Sequence, residues 1–234
     1  MTKVYHLWYN LAMREISVLG VSIADRSLRE SLRLLGVYME EEGLRTVCFL
    51  TTDLLMKAKD DKSLKEALEG MDLPVTGSVQ ILEAGGIKSA TRKREVEGNY
   101  FLRELIKRLA REKKKIFLIA DTQDALVSLR EQLLLMEGKL TFFGSYSFDG
   151  PEVSDDAVIN EINTVIPEVV ISASASPRQE LIMHGAKDMI NARLWISLQD
   201  ETVKALGSYN KKGFLSEIID KLIFKRTVKK YDEG

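Results

Sequence analysis

The chain has 234 residues, of which 45% are hydrophobic and 29% charged, and its formal net charge is −1. A chain of this length and composition can bury a sizeable core in one large domain, and its near-neutral charge gives it no general attraction to nucleic acid or anionic lipid. Cys48 is the single cysteine, which excludes a disulfide within the chain and is typical of a reducing cytoplasm.

The first 14 residues precede the first predicted strand. This segment is too short and too polar for a membrane-spanning helix, and it lacks the long apolar core of a signal peptide. We therefore expect an N-terminal extension over 1–14 and a protein that is not integral to a membrane.

Strand-like and helix-like stretches alternate from residue 15 onwards. The apolar runs "ISVLGVSI" (16–23) and "RTVCFL" (45–50) predict buried strands. Between them, "SLRE" (27–30) fits the capping box that begins a helix. The apolar residues of that predicted helix recur at helical spacing, at Leu28, Leu32, Leu35 and Met39.

The second half of the chain continues this alternation. Residues 99–112 predict an amphipathic helix, and the basic stretch "KSATRKRE" (88–95) predicts a loop. Strands that are apolar on both faces and separated by helices indicate a parallel sheet covered on two sides. We predict a doubly wound, Rossmann-like α/β domain over 15–207. The later strands are predicted at "KIFLIA" (115–120), "KLTFFG" (139–144), "PEVVISA" (167–173) and "RLWISL" (193–198).

The last segment, 208–234, predicts a basic amphipathic helix and tail. Between 211 and 230 it holds seven basic residues against two acidic ones, a net charge of +5 (7 − 2). One interpretation is a helix that lies on an anionic membrane or contacts a diphosphate. The alternative is a terminal helix packed on the sheet with a solvated tail. The candidate contact residues are Lys221, Lys225, Arg226, Lys229 and Lys230.

Polar residues follow several predicted strands, at the positions where open α/β sheets bind ligands. Hydroxyls, amides and carboxylates gathered in one crevice are sufficient to bind a sugar or a nucleotide. Threonine and aspartate are also ordinary helix caps, which is the alternative for most of these residues. They are Thr51, Thr52 and Asp53; Thr76, Gly77 and Ser78; Asp121, Thr122 and Asp124; and Ser176, Arg178, Gln179 and Glu180.

Several other chemistries find no support in the sequence. The glycine-rich fingerprints of dinucleotide-binding and P-loop proteins are missing. The two histidines, His6 and His184, lie in unrelated surroundings without cysteine partners, so we expect no metal site. The basic stretch 88–115 is typical of a solvated surface, and we expect no nucleic acid partner.

The order of the polar loops gives the chain a resemblance to a known family. "SVLGVSIADRSLRESL", Thr51–Asp53, "REVEGNYF" (94–101) and "ASASPRQE" (173–180) follow the order of the motifs of the WecG/TagA/CpsF glycosyltransferases, glycosyltransferase family 26. The chain resembles this family over nearly its whole length. The specific matches are the opening strand and helix and the segment that contains Pro177.

The resemblance implies a reaction and its participants. Members of the family transfer an N-acetylhexosamine, typically N-acetylmannosamine, from a UDP-sugar to a polyprenyl-diphosphate-linked sugar, with inversion, in cell-surface polysaccharide or teichoic acid synthesis. They use an aspartate as general base and no metal, so we expect no cofactor. Their basic C-terminal appendage docks to the inner face of the membrane. The family's substrate-binding positions correspond here to Thr51, Thr52, Gly77, Arg94, Ser176, Arg178, Gln179 and Glu180.

The sequence departs from the family pattern within the predicted crevice. Thr76 stands where the family has its base, and threonine has no useful basicity near neutral pH. Asp53 replaces an asparagine and is our candidate for a substitute base. Ala173 and Ala175 replace two glycines at a point where backbone approaches ligand. Glu95 aligns with a motif arginine, although Arg94 is adjacent.

Two hypotheses follow from this combination. The first is a transferase of this family with altered catalytic residues, whose partners are a UDP-sugar and a lipid-linked acceptor. The second is a catalytically silent homologue that binds a sugar nucleotide or regulates a partner transferase. A homo-oligomer is compatible with both. Both place the protein in the cytoplasm, and the two interpretations of the C-terminal segment decide between peripheral contact with the inner face of the membrane and none.

Overall fold

A six-stranded parallel sheet forms the centre of the fold, in a computed structural model that describes residues 14–150, 153–199, 202–203, 224, 227–229 and 231. Along the sheet the strands lie in the order β4-β3-β8-β7-β5-β6, and every neighbouring pair is parallel. The prediction of a doubly wound α/β fold is therefore confirmed. The strands are β3 (Arg45–Leu50), β4 (Leu73–Thr76), β5 (Lys115–Ala120), β6 (Thr141–Ser147), β7 (Val169–Ala173) and β8 (Leu194–Ser197).

A separate antiparallel hairpin precedes the sheet. Its strands are β1 (Arg14–Val18) and β2 (Val21–Asp25), so the prediction of a single strand over 16–23 was wrong. The chain reverses at Leu19 and Gly20, which have φ of 52° and 77°. A two-residue hairpin turn of the common kind needs positive φ at both positions. The hairpin leaves Asp25 at its end, ahead of the first helix.

Nine α-helices connect the strands in the described residues. The capping box at Ser27 and Glu30 is present, as predicted. The loop predicted over 88–95 is instead mostly helical, because the Ser89 side chain accepts a hydrogen bond from the Arg92 N–H and begins a helix there. The helices are α1 (Leu28–Glu40), α2 (Thr52–Asp60), α3 (Lys62–Glu69), α4 (Val79–Ala84), α5 (Ala90–Glu97), α6 (Tyr100–Arg111), α7 (Gln123–Met136), α8 (Asp155–Val165) and α9 (Arg178–Gly185).

The core lies in two layers, one on each face of the sheet. Helices α2, α3, α8 and α9 contribute buried residues to one layer, and α1, α6 and α7 contribute to the other. The helix that follows β5 is therefore on the opposite face from the helix that follows the neighbouring strand β7. In open α/β sheets, such a change of direction between adjacent strands opens a ligand-binding crevice at their carboxyl ends.

The described part of the C-terminal segment packs on the domain. Phe224 is 1% exposed and belongs to the core layer that contains α2 and α9. Tyr231 lies against Gly20 in the hairpin turn. Lys229 is exposed, and Lys221, Lys225, Arg226 and Lys230 lie outside the described residues, so their membrane or diphosphate contacts stay predictions. The described chain contains no helix that is long and apolar enough to cross a membrane.

Candidate active site

The loops that follow β5 and β7 meet at the carboxyl edge of the sheet. We call the space between Asp121–Thr122 and Ser174–Pro177 the β5–β7 crevice. The Ala175 N–H donates a hydrogen bond of 2.8 Å to Asp121 Oδ2, which ties the two loops together. The two loops are therefore in direct contact at this point, and a carboxylate lies between them.

The Gln179 side chain points into the protein beneath the loop that follows β7. Its Oε1 accepts hydrogen bonds from Ser172 Oγ at 2.8 Å and from the Ser174 N–H at 3.4 Å. Its Nε2 donates to the Leu198 carbonyl at 3.3 Å, which joins the loop to the end of β8. With 1% of its surface exposed, Gln179 fixes the backbone of the loop.

The Glu180 carboxylate is also fully buried. Its Oε1 accepts a 2.7 Å hydrogen bond from Gln199 Nε2, and its Oε2 accepts one from Ser176 Oγ. Burial raises the pKa of the Glu180 carboxyl, and the hydrogen bonds from Ser176 and Gln199 oppose that rise. Glu180 thus holds Ser176 and Gln199 in place across the ends of β7 and β8.

Helix α9 begins at the crevice with groups that a ligand could use. Pro177, which precedes the helix, makes no capping hydrogen bond, and the beginning of a helix carries partial positive charge. The Ser174 hydroxyl is buried and has no hydrogen-bond partner. Arg178 is exposed, with its guanidinium 4.6 Å from the centre of the Phe148 ring. The beginning of a helix beside an exposed arginine suits an anionic ligand.

The residues predicted after β3 cap and begin α2. Thr51 Oγ1 accepts a 3.3 Å hydrogen bond from the Leu54 N–H, and Thr52 is the first residue of the helix. Both are buried. Asp53 points outwards, and its carboxylate lies 2.8 Å from Lys57 Nζ. The alternative interpretation of Thr51 as a helix cap describes its hydrogen bond correctly, and its role in substrate binding stays a prediction.

Gly77 follows β4 where two backbones come close together. Its N–H donates a 2.8 Å hydrogen bond to the Leu50 carbonyl. A Cβ at position 77 would lie 2.9 Å from that carbonyl oxygen, so a larger residue would push β3 and β4 apart. This glycine keeps the ends of the two strands in register.

Thr76, at the family's base position, contacts a carboxylate from elsewhere in the chain. Its Oγ1 lies 3.5 Å from Oδ1 of Asp25, the last residue of the hairpin. Arg92 Nη2 lies 2.7 Å from the same Asp25 oxygen, and Arg92 Nη1 lies 2.6 Å from Glu95 Oε2. Burial alone would lower the pKa of the Arg92 guanidinium, but its bonds to the two carboxylates outweigh that effect and raise it.

A cleft opens beside Thr76, between the hairpin end, α1, α5 and α6. We call it the Thr76 cleft; its lining includes Arg26, Ser31, Thr76, Glu95, Asn99 and Phe101. Arg94, which the sequence predicted as a binding residue, is exposed on α5 with its Nε 3.4 Å from the Ala90 carbonyl. Arg92, two residues earlier, is the arginine that contacts Asp25 beside Thr76.

The structure therefore brings the predicted residues together in two groups. Ser176, Gln179 and Glu180 gather at the ends of β7 and β8, and the residues of 51–52 and 76–77 gather at the ends of β3 and β4. Sequence reasoning passed over Asp25, Arg92 and Gln199. One local signal could have pointed to Asp25 as a site residue, because it follows a strand-like run.

Among the described residues, no group of three histidine, cysteine, aspartate or glutamate side chains could hold a metal ion.

Comparison with known proteins identifies the family. No curated protein matches the chain. The family model described as "Glycosyl transferase WecG/TagA/CpsF family" matches residues 16–199, which is most of the chain and includes both groups of site residues. The chain belongs to the WecG/TagA/CpsF family of glycosyltransferases.

Proposed function

We propose that the protein transfers an N-acetylhexosamine, of the N-acetylmannosamine type, from a UDP-sugar to a polyprenyl-diphosphate-linked acceptor in the synthesis of cell-surface polysaccharide or teichoic acid. Membership of the family supports glycosyl transfer in general. The observation that carries the proposal for this chain is the β7 loop, which buried Gln179 and Glu180 hold rigidly at the β5–β7 crevice. Such fixed loops at a change of strand direction bind nucleotides in α/β proteins.

The diphosphate of the donor fits the beginning of α9. The beginning of that helix and the exposed Arg178 guanidinium supply positive charge. Charge of this sign stabilises the negative charge that grows on the leaving diphosphate during transfer. Gln179 and Glu180 act by holding the loop in place, because their polar atoms are already bonded within the protein.

The acceptor fits the other end of the site, at the Thr76 cleft. β4 and β7 are separated by β3 and β8, so their ends lie three strand spacings apart, or about 14 Å. A donor that extends along the carboxyl edge from α9 places its sugar towards β3 and β4. The lipid part of the acceptor and the basic C-terminal segment would then meet at the membrane surface.

Binding of the donor tests this arrangement. We expect UDP-N-acetylmannosamine to bind the full chain with a micromolar dissociation constant by isothermal titration calorimetry. Ala175→Trp should weaken binding at least about tenfold, a difference of about 1.4 kcal/mol, because it fills the crevice. Ala90→Trp, the same exchange at an exposed position on α5, is the matched control. Absence of binding to the wild-type protein, or equal binding by Ala175→Trp, would contradict the proposal.

A silent, regulatory homologue is the second candidate function. It is favoured by Thr76 at the family's base position and by the ion pair that Asp53, the predicted substitute base, makes with Lys57. This candidate predicts binding of the UDP-sugar without turnover.

A further inference from the structure

We propose that Asp25 supplies the general base of the transfer reaction and acts through the hydroxyl of Thr76. This inference rests on the proposed function, and it assigns the proton acceptor of the same site. In the family pattern the base is an aspartate at position 76; here a carboxylate reaches the same place from the end of the hairpin, 51 residues earlier in the chain.

The contact between the two side chains has the direction that a proton relay needs. Thr76 Oγ1 donates to Asp25 Oδ1 over 3.5 Å. That distance is long for an O–H···O bond, but catalytic hydrogen bonds in unliganded enzymes are often long and shorten when substrate binds. A threonine hydroxyl both donates and accepts. Thr76 can therefore accept a hydrogen bond from the acceptor hydroxyl while it donates to Asp25.

The lining of the cleft favours the relay over direct contact. Thr76 and Asp25 are both buried, with 5% and 8% of their surfaces exposed, but Thr76 lines the Thr76 cleft and Asp25 is not among its lining residues. An acceptor hydroxyl in the cleft meets the Thr76 oxygen first. Arg26, Ser31 and Asn99 also line the cleft.

The cation beside Asp25 is shared with a second carboxylate. Arg92 is shared between Asp25 and Glu95, so these three groups together carry a net charge of −1. Glu95 is fixed in turn by the Leu28 N–H, which donates to its Oε2 over 3.1 Å. Arg92 thus orients the Asp25 carboxylate without cancelling the charge of the cluster.

The step is balanced as follows. The acceptor oxygen forms a bond to the anomeric carbon of the donor sugar while the bond from that carbon to the diphosphate oxygen breaks, and the electron pair leaves with UDP. The acceptor proton passes to Thr76 Oγ1 as the Thr76 proton passes to Asp25. The products are the elongated lipid-linked glycan, UDP and a protonated Asp25, which returns its proton to solvent.

Steady-state transfer kinetics of the full-length protein and three variants test the inference. Asp25→Asn should lower kcat about 10²-fold or more, the usual contribution of a general base, with the KM for the UDP-sugar changed less than about threefold. Thr76→Val removes the hydroxyl at nearly constant volume and should cause a similar loss of kcat. Thr76→Ser keeps the hydroxyl and should retain most of the activity. A purely structural role for Thr76 would not separate valine from serine in this way.

Two further outcomes separate this inference from the proposed function. If the wild-type protein transfers sugar and Asp25→Asn keeps kcat within about threefold, the inference is overturned and the transferase remains. If the wild-type protein binds the UDP-sugar but gives no product, both fall and the silent homologue is favoured. Thermal melting of each variant verifies folding, and if Asp25→Asn does not fold, the comparison of Thr76→Val with Thr76→Ser still decides the result.

Discussion

An Arg92→Gln variant is expected to lose about 3 kcal/mol of the free energy of unfolding. The Arg92 side chain is 14% exposed and bonds to Asp25 and Glu95, whose side chains are 7% and 15% exposed. Removing the shared cation leaves two carboxylates close together with little solvent to stabilise their charges. Breaking a buried ion pair in this way costs about 3–5 kcal/mol, and the hydrogen bonds of glutamine recover part of that amount. Urea denaturation at pH 7 measures the loss.

Arg94→Gln is the matched control for this experiment, since it makes the same exchange two residues away on α5. Arg94 is exposed, and its Nε donates a hydrogen bond to the Ala90 carbonyl. Its substitution should change stability by no more than about 0.5 kcal/mol. Equal losses in the two variants would show that the Asp25–Arg92–Glu95 cluster does not hold the hairpin end against α5.

Gln179→Ala is expected to cost about 3 kcal/mol as well. The substitution removes the partner of Ser172 Oγ, of the Ser174 N–H and of the Leu198 carbonyl, all of which are buried. Each buried group left without a partner costs about 1–3 kcal/mol, although local rearrangement reduces the sum. Trp195 Nε1 donates a hydrogen bond to Ser172 Oγ. The near-ultraviolet circular dichroism of Trp195 should therefore change, and the melting temperature should fall.

Arg178→Ala provides the comparison at the neighbouring position. Arg178 is exposed and stacks on Phe148, an arrangement worth about 0.5–1 kcal/mol at an exposed site. We expect this variant to weaken binding of the UDP-sugar while it keeps nearly all of the stability. If Gln179→Ala were instead as stable as wild type and defective only in binding, Gln179 would be a ligand contact, and its assignment as a support of the loop would be wrong.

The parallel sheet was predictable from sequence because its strands are buried on both faces. Runs such as "RTVCFL" and "KIFLIA" are apolar after their first one or two residues, and they became β3 and β5 with the predicted bounds. The two wrong predictions, of a single strand over 16–23 and of a loop over 88–95, have local causes. The hairpin depends on a turn at Leu19 and Gly20 in which leucine takes positive φ, and leucine gives no signal for that conformation. In α5 only Val96 is buried, so the helix has no apolar stripe that a sequence pattern could detect.

The candidate site was predictable in position but not in orientation. The polar residues after β3, β4 and β7 do lie at the carboxyl edge of the sheet. Whether a polar side chain points to a ligand or into the protein depends on partners elsewhere in the chain. Glu180, for example, points inwards to Gln199, which donates a hydrogen bond to it. The contact between Asp25 and Thr76 joins residues 51 positions apart, and a sequence motif describes neighbours along the chain only. Asp53, which the family motif suggested as a substitute base, pairs with Lys57, whereas Asp25 is the carboxylate that contacts Thr76.

The rate at which the full-length wild-type protein transfers sugar tests the central claim most directly. Radiolabelled UDP-N-acetylmannosamine and a polyprenyl-diphosphate-linked acceptor in vesicles are incubated with the protein, and labelled lipid and free UDP are measured together. We predict equal amounts of both products at about 1 s⁻¹ or within a factor of about ten of that rate, as for ordinary enzymes. Saturable binding of the UDP-sugar with no labelled lipid above the protein-free control would contradict the account and identify a silent homologue.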